Sequence, residues 1–349
     1  MTSFSIRQPD DMHLHLRDGA MMQAVIGASA ARVGRAVVMP NLQPPVTTVA
    51  LAEAYHRCIL SALPAGNSFT PLMTLYLTDT TPIDEIMAAK ASPIIAGVKL
   101  YPAGATTHSD AGVRHLEGRD EVLAAMAEIG LPLLIHGETT DPEVDIFDRE
   151  GVFIDKTLAP LCARHPNLRI IFEHITSRQA VAFVQQASEN IAATVTAHHL
   201  LYQRNHMLAG GIRPHYYCLP ILKRELDRQA LLDAVLSGSS KFFAGTDSAP
   251  HLQSKKESAC GCAGAYTACA STELYATAFD REANLEHMEI QKLFESFMSE
   301  HGARFYGLPL NQNKVTLIKQ PTQLPISFMT AEGALIPLAA GETLPWSLL

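Results

Sequence analysis

The sequence predicts an α/β fold: a (β/α)8 TIM barrel with a short C-terminal extension. Two observations carry that expectation. Eight apolar runs with strand character recur through roughly the first 250 residues, alternating with polar loops and helical patterns. Several of these runs are apolar almost without a break, such as Leu131-Pro132-Leu133-Leu134-Ile135 and Ile170-Ile171-Phe172. Parallel strands covered on both faces read this way, whereas half-solvated antiparallel strands alternate. A doubly wound open sheet is the alternative, but no Gly-x-Gly-x-x-Gly follows an early strand.

The runs centre on Asp11–His15, Ala36–Asn41, Pro71–Thr78, Ile95–Tyr101, Pro132–Gly137, Arg169–Ile175, Ala192–His198 and Lys241–Asp247. In the first, strand alternation puts His13, His15 and Arg17 on one face, and Leu14 and Leu16 on the other. Imidazoles at i and i+2 lie roughly 7 Å apart at their Cα atoms. Both can turn onto one ion, since zinc–nitrogen bonds are about 2.0–2.1 Å. Two solvated histidines on a surface strand are the plain alternative.

Between the runs, Asp120–Ile129 aligns Val122, Leu123, Met126 and Ile129 on one helical face and is ended by Gly130-Leu131-Pro132. Ser177–Ala187 opens on a serine suited to capping. Leu219–Leu236 reads as a longer helix through Ile221, Leu222, Leu226, Leu231, Leu232 and Val235. Beyond Asp280 the pattern is helical and irregular, and Val315–Leu349 reads as a short-stranded extension packed on the barrel. No linker, low-complexity tract or charge block divides the chain. Residues 1–349 are therefore expected to form one domain, with 280–349 as its extension.

Polar residues stand at the C-terminal ends of run after run: His13 and His15, Asn41, Lys99, His136, His174, His198 and His199, and Asp247. In a barrel these ends meet on the face that carries catalysis. Each alone could be a capped strand end or, for Asp247, a turn residue. Their coincidence at successive strand ends is the signal. Lys99 shares its face with Gly97 and Tyr101, towards the barrel interior. A buried cationic lysine is costly unless paired or deprotonated. Carbon dioxide captured by the neutral amine would give an anionic carbamate able to bridge two metal ions; a salt-bridged surface lysine is the alternative.

In this order along a barrel-like chain, His13-x-His15, Lys99, His136, His174 and Asp247 resemble the metal-dependent amidohydrolase superfamily. Longer motifs narrow the resemblance to the dihydroorotase family, most similar to its short bacterial homodimeric type. They include Asp11-Met12-His13-Leu14-His15-Leu16-Arg17-Asp18-Gly19, Lys99-Leu100-Tyr101-Pro102, Phe172-Glu173-His174-Ile175-Thr176 and Gly245-Thr246-Asp247-Ser248-Ala249-Pro250-His251. The match spans essentially the whole chain. It implies two Zn2+ per chain, one held by His13, His15 and Asp247 and the other by His136 and His174. Lys99, N6-carboxylated, would bridge them together with a hydroxide. It also implies a small-molecule substrate, N-carbamoyl-L-aspartate or L-dihydroorotate, interconverted in pyrimidine biosynthesis with Asp247 as the proton carrier. Arg17, Asn41 and His251 would hold the substrate carboxylate, beside His15 and His136. Backbone groups at Leu219 and Ala263 would read the ring's amide edge. Independently of the resemblance, the 103–112 loop follows Lys99 directly, has glycines near both ends and lacks a large apolar side chain. It therefore reads as a mobile lid whose Thr106 and Thr107 reach a carboxylate on closing; an ordinary solvated connection is the alternative. One departure is Met12, where the family pattern has tryptophan; alternation places it opposite the ligands. Only ten residues precede the first motif, so no N-terminal β-sandwich segment is expected.

Composition excludes several other classes. A formal net charge of −8 and a pI near 6.0 argue against a nucleic-acid surface. No apolar run approaches the ~20 residues that cross a bilayer, and no secretory signal is visible, so no membrane partner and a cytoplasmic setting are expected. Six scattered cysteines make no disulfide framework, and Cys260-Gly261-Cys262 lacks the gap of a zinc knuckle. Two rival functions remain at this stage. A hydantoinase-like cyclic-amide hydrolase would keep the metal ligands without the Arg17–Asn41–His251 set. A catalytically dead scaffold would have lost metal ligands, and none is missing here.

Overall fold

The structure is a computed structural model and describes residues 2–114 and 116–349. Eight parallel strands form the sheet: β2 (Asp10–Leu14), β3 (Arg35–Val38), β4 (Thr70–Tyr76), β5 (Ile95–Leu100), β6 (Leu133–Ile135), β7 (Ile170–Phe172), β8 (Ile191–Val195) and β9 (Phe242–Ala244), paired in that order. The strand preceding them, β1, spans Ser3–Arg7. Beyond the last barrel strand the cylinder closes on itself: Asp247 N–H donates to the His13 carbonyl at 2.9 Å, and His15 N–H to the Ser248 carbonyl at 3.1 Å. Each of the eight predicted runs overlaps one of these strands. All but the first strand are shorter than their runs because the polar ends leave the ladder to enter loops.

Alternation sorts the side chains into two layers. Ala36, Val38, Val98, Leu133, Ile135, Ile170 and Phe172 face outward into the packing with the helices. Val37, Met39, Leu72, Leu134, Ile171, Ala192 and Phe243 fill the barrel floor together with Ala303. Met12 joins this floor and corrects the alternation argument for the first strand. The register slips between Asp11 and Leu14, where three steps on β2 face two on β3. The bulge turns both Met12 and His13 inward while Leu14 and Leu16 stay in the outer layer. Met12 packs so closely on Gly302 that a Cβ there would lie 2.6 Å from its Cγ.

The helix Asp120–Ile129 forms as predicted and stops at Gly130, whose φ of +66° suits the left-handed cap. Ser177 Oγ accepts from Ala180 N–H at 3.2 Å and starts the helix Arg178–Gln186. The longer helix begins only at Glu225, not at Leu219. Pro220 has no N–H to give and disfavours helical geometry at Leu219, and its carbonyl instead accepts from His199 Nε2 at 3.0 Å. At the far end of the chain, β10 (Lys314–Ile318) pairs antiparallel with both β1 and Ser347–Leu348. Phe4 of β1 meets the fully buried Trp346 edge-on, centroids 5.4 Å apart. The alternation in Ser3–Arg7 is too brief for the sequence to have marked it as a strand.

Candidate active site

The strand ends of β2, β5, β6, β7 and β9 deliver their polar residues to one place. His13 Nε2, His15 Nε2 and Asp247 Oδ1 form a triangle with sides of 3.3, 3.0 and 3.4 Å. Two neighbours fix the tautomers. His13 Nδ1 is hydrogen-bonded to the Glu173 carboxylate, and His15 Nδ1 donates to Asn41 Oδ1 at 2.8 Å. In each neutral ring the lone pair therefore lies on Nε2, inside the triangle. Three acceptors so close together repel unless positive charge sits among them. Burial pushes His15 down to about 3, so it supplies none. Burial is the largest influence on His13 and works against its charge, but Glu173 and Asp247 together outweigh it and raise that pKa. A proton on His13 or a metal ion must balance the triangle. Ligands at 2.0–2.1 Å around a tetrahedral ion lie ~3.3 Å apart, which matches the observed spacing.

The other candidate ligands surround this corner. Lys99 is fully buried, and its Nζ has no hydrogen-bond partner. Burial pushes the amine down to about 8, although Glu173 and Asp247 pull the other way. The His174 ring lies 4.9 Å by centroid from both His13 and His136, and its buried Nδ1 is unpartnered. His136 Nε2 is 3.1 Å from Glu138 Oε2, and the residue lines the same pocket as His15 and His174. Backbone strain collects at the same residues: Arg17, His174 and Asp247 have φ of 60°, 40° and 45°. Non-glycine residues seldom hold such angles except where the surrounding structure enforces them.

Arg17 reaches the pocket by this turn and not by strand alternation, since β2 ends at Leu14. Its Nη2 donates to His251 Nε2 at 2.9 Å and its Nε to the Pro250 carbonyl at 3.2 Å. Nη1 is left for a ligand. Asn41 has two partners: Oδ1 on His15, and Nδ2 donating to the Thr107 carbonyl at 3.2 Å. Thr107 Oγ1 donates to the Ala263 carbonyl at 3.2 Å, so the 103–112 loop lies folded over the pocket. Beneath it remains a cavity of about 20 Å³, lined by His15, Arg17, Tyr101, Thr106, Leu219 and Ala263 among others.

His198 and His199 stand apart from this constellation. His199 braces the chain, with Thr196 Oγ1 at 2.7 Å on one nitrogen and the Pro220 carbonyl on the other. Three acidic residues escaped the sequence reading. Glu173 and Glu138 support His13 and His136. Asp11 accepts from His13 N–H, Thr246 N–H and Thr246 Oγ, which ties the first strand to the Asp247 turn. A carboxylate closing the apolar run Ile170-Ile171-Phe172-Glu173 was the available signal.

Residues 10–319 match the amidohydrolase family. The dihydroorotase of Cupriavidus pinatubonensis is 57% identical over 342 residues, covering 98% of each chain. The chain belongs to the amidohydrolases and, within them, to the dihydroorotases. Solved structures agree. A Campylobacter jejuni dihydroorotase superposes with a TM-score of 0.90 at 34% identity, covering 100% of this chain and 98% of that one. The Saccharomyces cerevisiae dihydroorotase, solved with 5-fluoroorotic acid, gives 0.90 at 32%, covering 100% and 99%. The eight-stranded barrel and the polar strand ends are thus those of a dihydroorotase-family enzyme.

Proposed function

We propose that this chain interconverts N-carbamoyl-L-aspartate and L-dihydroorotate, using two zinc ions bridged by N6-carboxylated Lys99. The observation that carries the reading is the acceptor triangle of His13, His15 and Asp247 beside the unpartnered Lys99 amine, in a chain with full-length dihydroorotase relatives. The donor set fits the metal: imidazoles and carboxylates suit zinc, and each neutral ring presents a lone pair. His13, His15 and Asp247 would hold one ion, and His136 and His174 the other. The chemistry such a pair supplies when bound is Lewis acidity towards an amide carbonyl and acidification of water.

The chain's own residues do the rest. The Lys99 ammonium gives one proton to solvent, and the neutral amine then adds to the carbon of carbon dioxide and releases a second, so a buried cation becomes an anion with two ligand oxygens. Asp247 is pushed up by burial, but the facing His13 and His15 outweigh this and hold its carboxyl well below the usual range. It remains ionised, able to take a proton and pass it to the leaving ring nitrogen. Arg17, steered by His251, offers its open N–H groups to the substrate carboxylate beside Asn41. Leu219 and Ala263 present backbone groups to the amide edge, and Thr106 and Thr107 close the lid and exclude water. The resemblance to the short bacterial type extends the proposal to a homodimer in the cytoplasm. Among the described residues no helix is long and apolar enough to cross a membrane.

The test is turnover of L-dihydroorotate against hydantoin by the wild type and Arg17→Met. The wild type should hydrolyse dihydroorotate and leave hydantoin nearly untouched. Arg17→Met should keep its metal and raise KM, because a desolvated charge pair is worth about 2–5 kcal/mol. Preference for hydantoin, or an unchanged KM in the variant, would overturn this reading.

A further inference from the structure

Lys256 is a buried cation that the reaction above leaves unused. It ends the short helix Gln253–Lys256, and its side chain is almost completely enclosed. An ammonium has three N–H groups, and burying any of them unpartnered is costly. Here all three are satisfied by backbone carbonyls: Tyr217 at 2.8 Å, Cys262 at 3.1 Å and Gly264 at 2.5 Å. Cys262 and Gly264 flank Ala263, and Tyr217 lies two residues before Leu219. The lysine therefore grips both backbone segments that line the pocket.

The same segments are tied to each other and to the lid. Gly264 N–H donates to the Tyr217 carbonyl at 3.0 Å, and Thr107 Oγ1 reaches the Ala263 carbonyl between the two gripped positions. The intervening loop wraps tightly round the lysine. A Cβ at Gly261 would lie 2.5 Å from the Lys256 carbonyl, and one at Gly264 2.8 Å from that of Ala249. Gly264 also holds a φ of +142°. This loop has little freedom to find another path, so its register depends on the ammonium at its centre.

We propose that Lys256 is a positioning residue whose ammonium sets the spacing between segments 217–219 and 262–264, and hence the placing of the Leu219 and Ala263 backbone groups at the substrate's amide edge. The inference rests on the dihydroorotase reading above. A methionine would keep the length of the stem but supply no donor. Arginine would keep the charge, but its planar fork cannot point three donors at carbonyls that converge on one atom.

The experiment uses the full-length, zinc-loaded protein as wild type, Lys256→Met and Lys256→Arg. It reads KM and kcat for L-dihydroorotate, zinc content, and amide exchange in the two segments. Both variants should raise KM about tenfold or more with kcat within about threefold, the pattern of lost binding shared by ground and transition states. Zinc content should not change, and exchange should quicken at 217–219 and 262–264. The proposal is overturned if folded Lys256→Met keeps the wild-type KM, if Lys256→Arg restores it, or if KM, kcat and zinc content deteriorate together. A wild type inert towards dihydroorotate would sink the functional reading instead. In that case quicker exchange confined to the two segments still supports the tether, and unchanged exchange removes it.

Discussion

Asp247→Asn should fold normally and lose turnover of dihydroorotate by about a thousandfold or more, within the usual range for deleting a general base together with a metal ligand's charge. The fold should survive for a local reason. Asp247 holds a φ of 45°, and asparagine tolerates that region better than most residues. Its N–H bond to the His13 carbonyl, which closes the barrel, is a backbone bond and is retained. What is lost is the charge. Oδ1 faces His13 and His15 at 3.4 and 3.0 Å, and an amide there can neither balance a cation nor accept a proton. Steady-state assays beside a melting curve check both halves. Turnover near wild type would show that Asp247 is not the base.

Lys99→Ala should lose at least one metal and nearly all activity, and short carboxylic acids should restore part of both by supplying bridging oxygens. The reason is the oddity of an amine with no hydrogen-bond partner in the most enclosed part of the site. In chelator-treated protein the variant should melt no lower than wild type. Burial pushes the Lys99 amine down to about 8, below its ordinary value, so carrying its charge into the fold costs stability at neutral pH. Intact-mass measurement of active, metal-loaded wild type should show one added carbon dioxide. Finding Lys99 unmodified there removes the carbamate from the account.

The barrel was legible because burial on both faces leaves its strands apolar nearly throughout, and that pattern survives in one dimension. The meeting of His13, His15, Lys99, His136, His174 and Asp247 was legible for a related reason: in this fold, strand ends converge whatever the loops do. The detail that depends on irregular backbone was not. The bulge that turns Met12 inward, the left-handed turn that aims Arg17, and the proline that delays a helix to Glu225 each break the periodicity from which faces are read. Glu173 and Glu138 were missed because their role is pairwise. A carboxylate beside a histidine in sequence says nothing about which ring it will hold, and Glu173 holds His13 across the barrel, not its neighbour His174.

The proposed reaction depends on a metal pair assembled by these residues and acting on one substrate. The most direct test is to titrate zinc into chelator-treated protein in the presence of bicarbonate while following hydrolysis of L-dihydroorotate. Activity should rise from near zero and break at two zinc ions per chain. Full turnover in the stripped protein, or a plateau reached with a single ion, would contradict it.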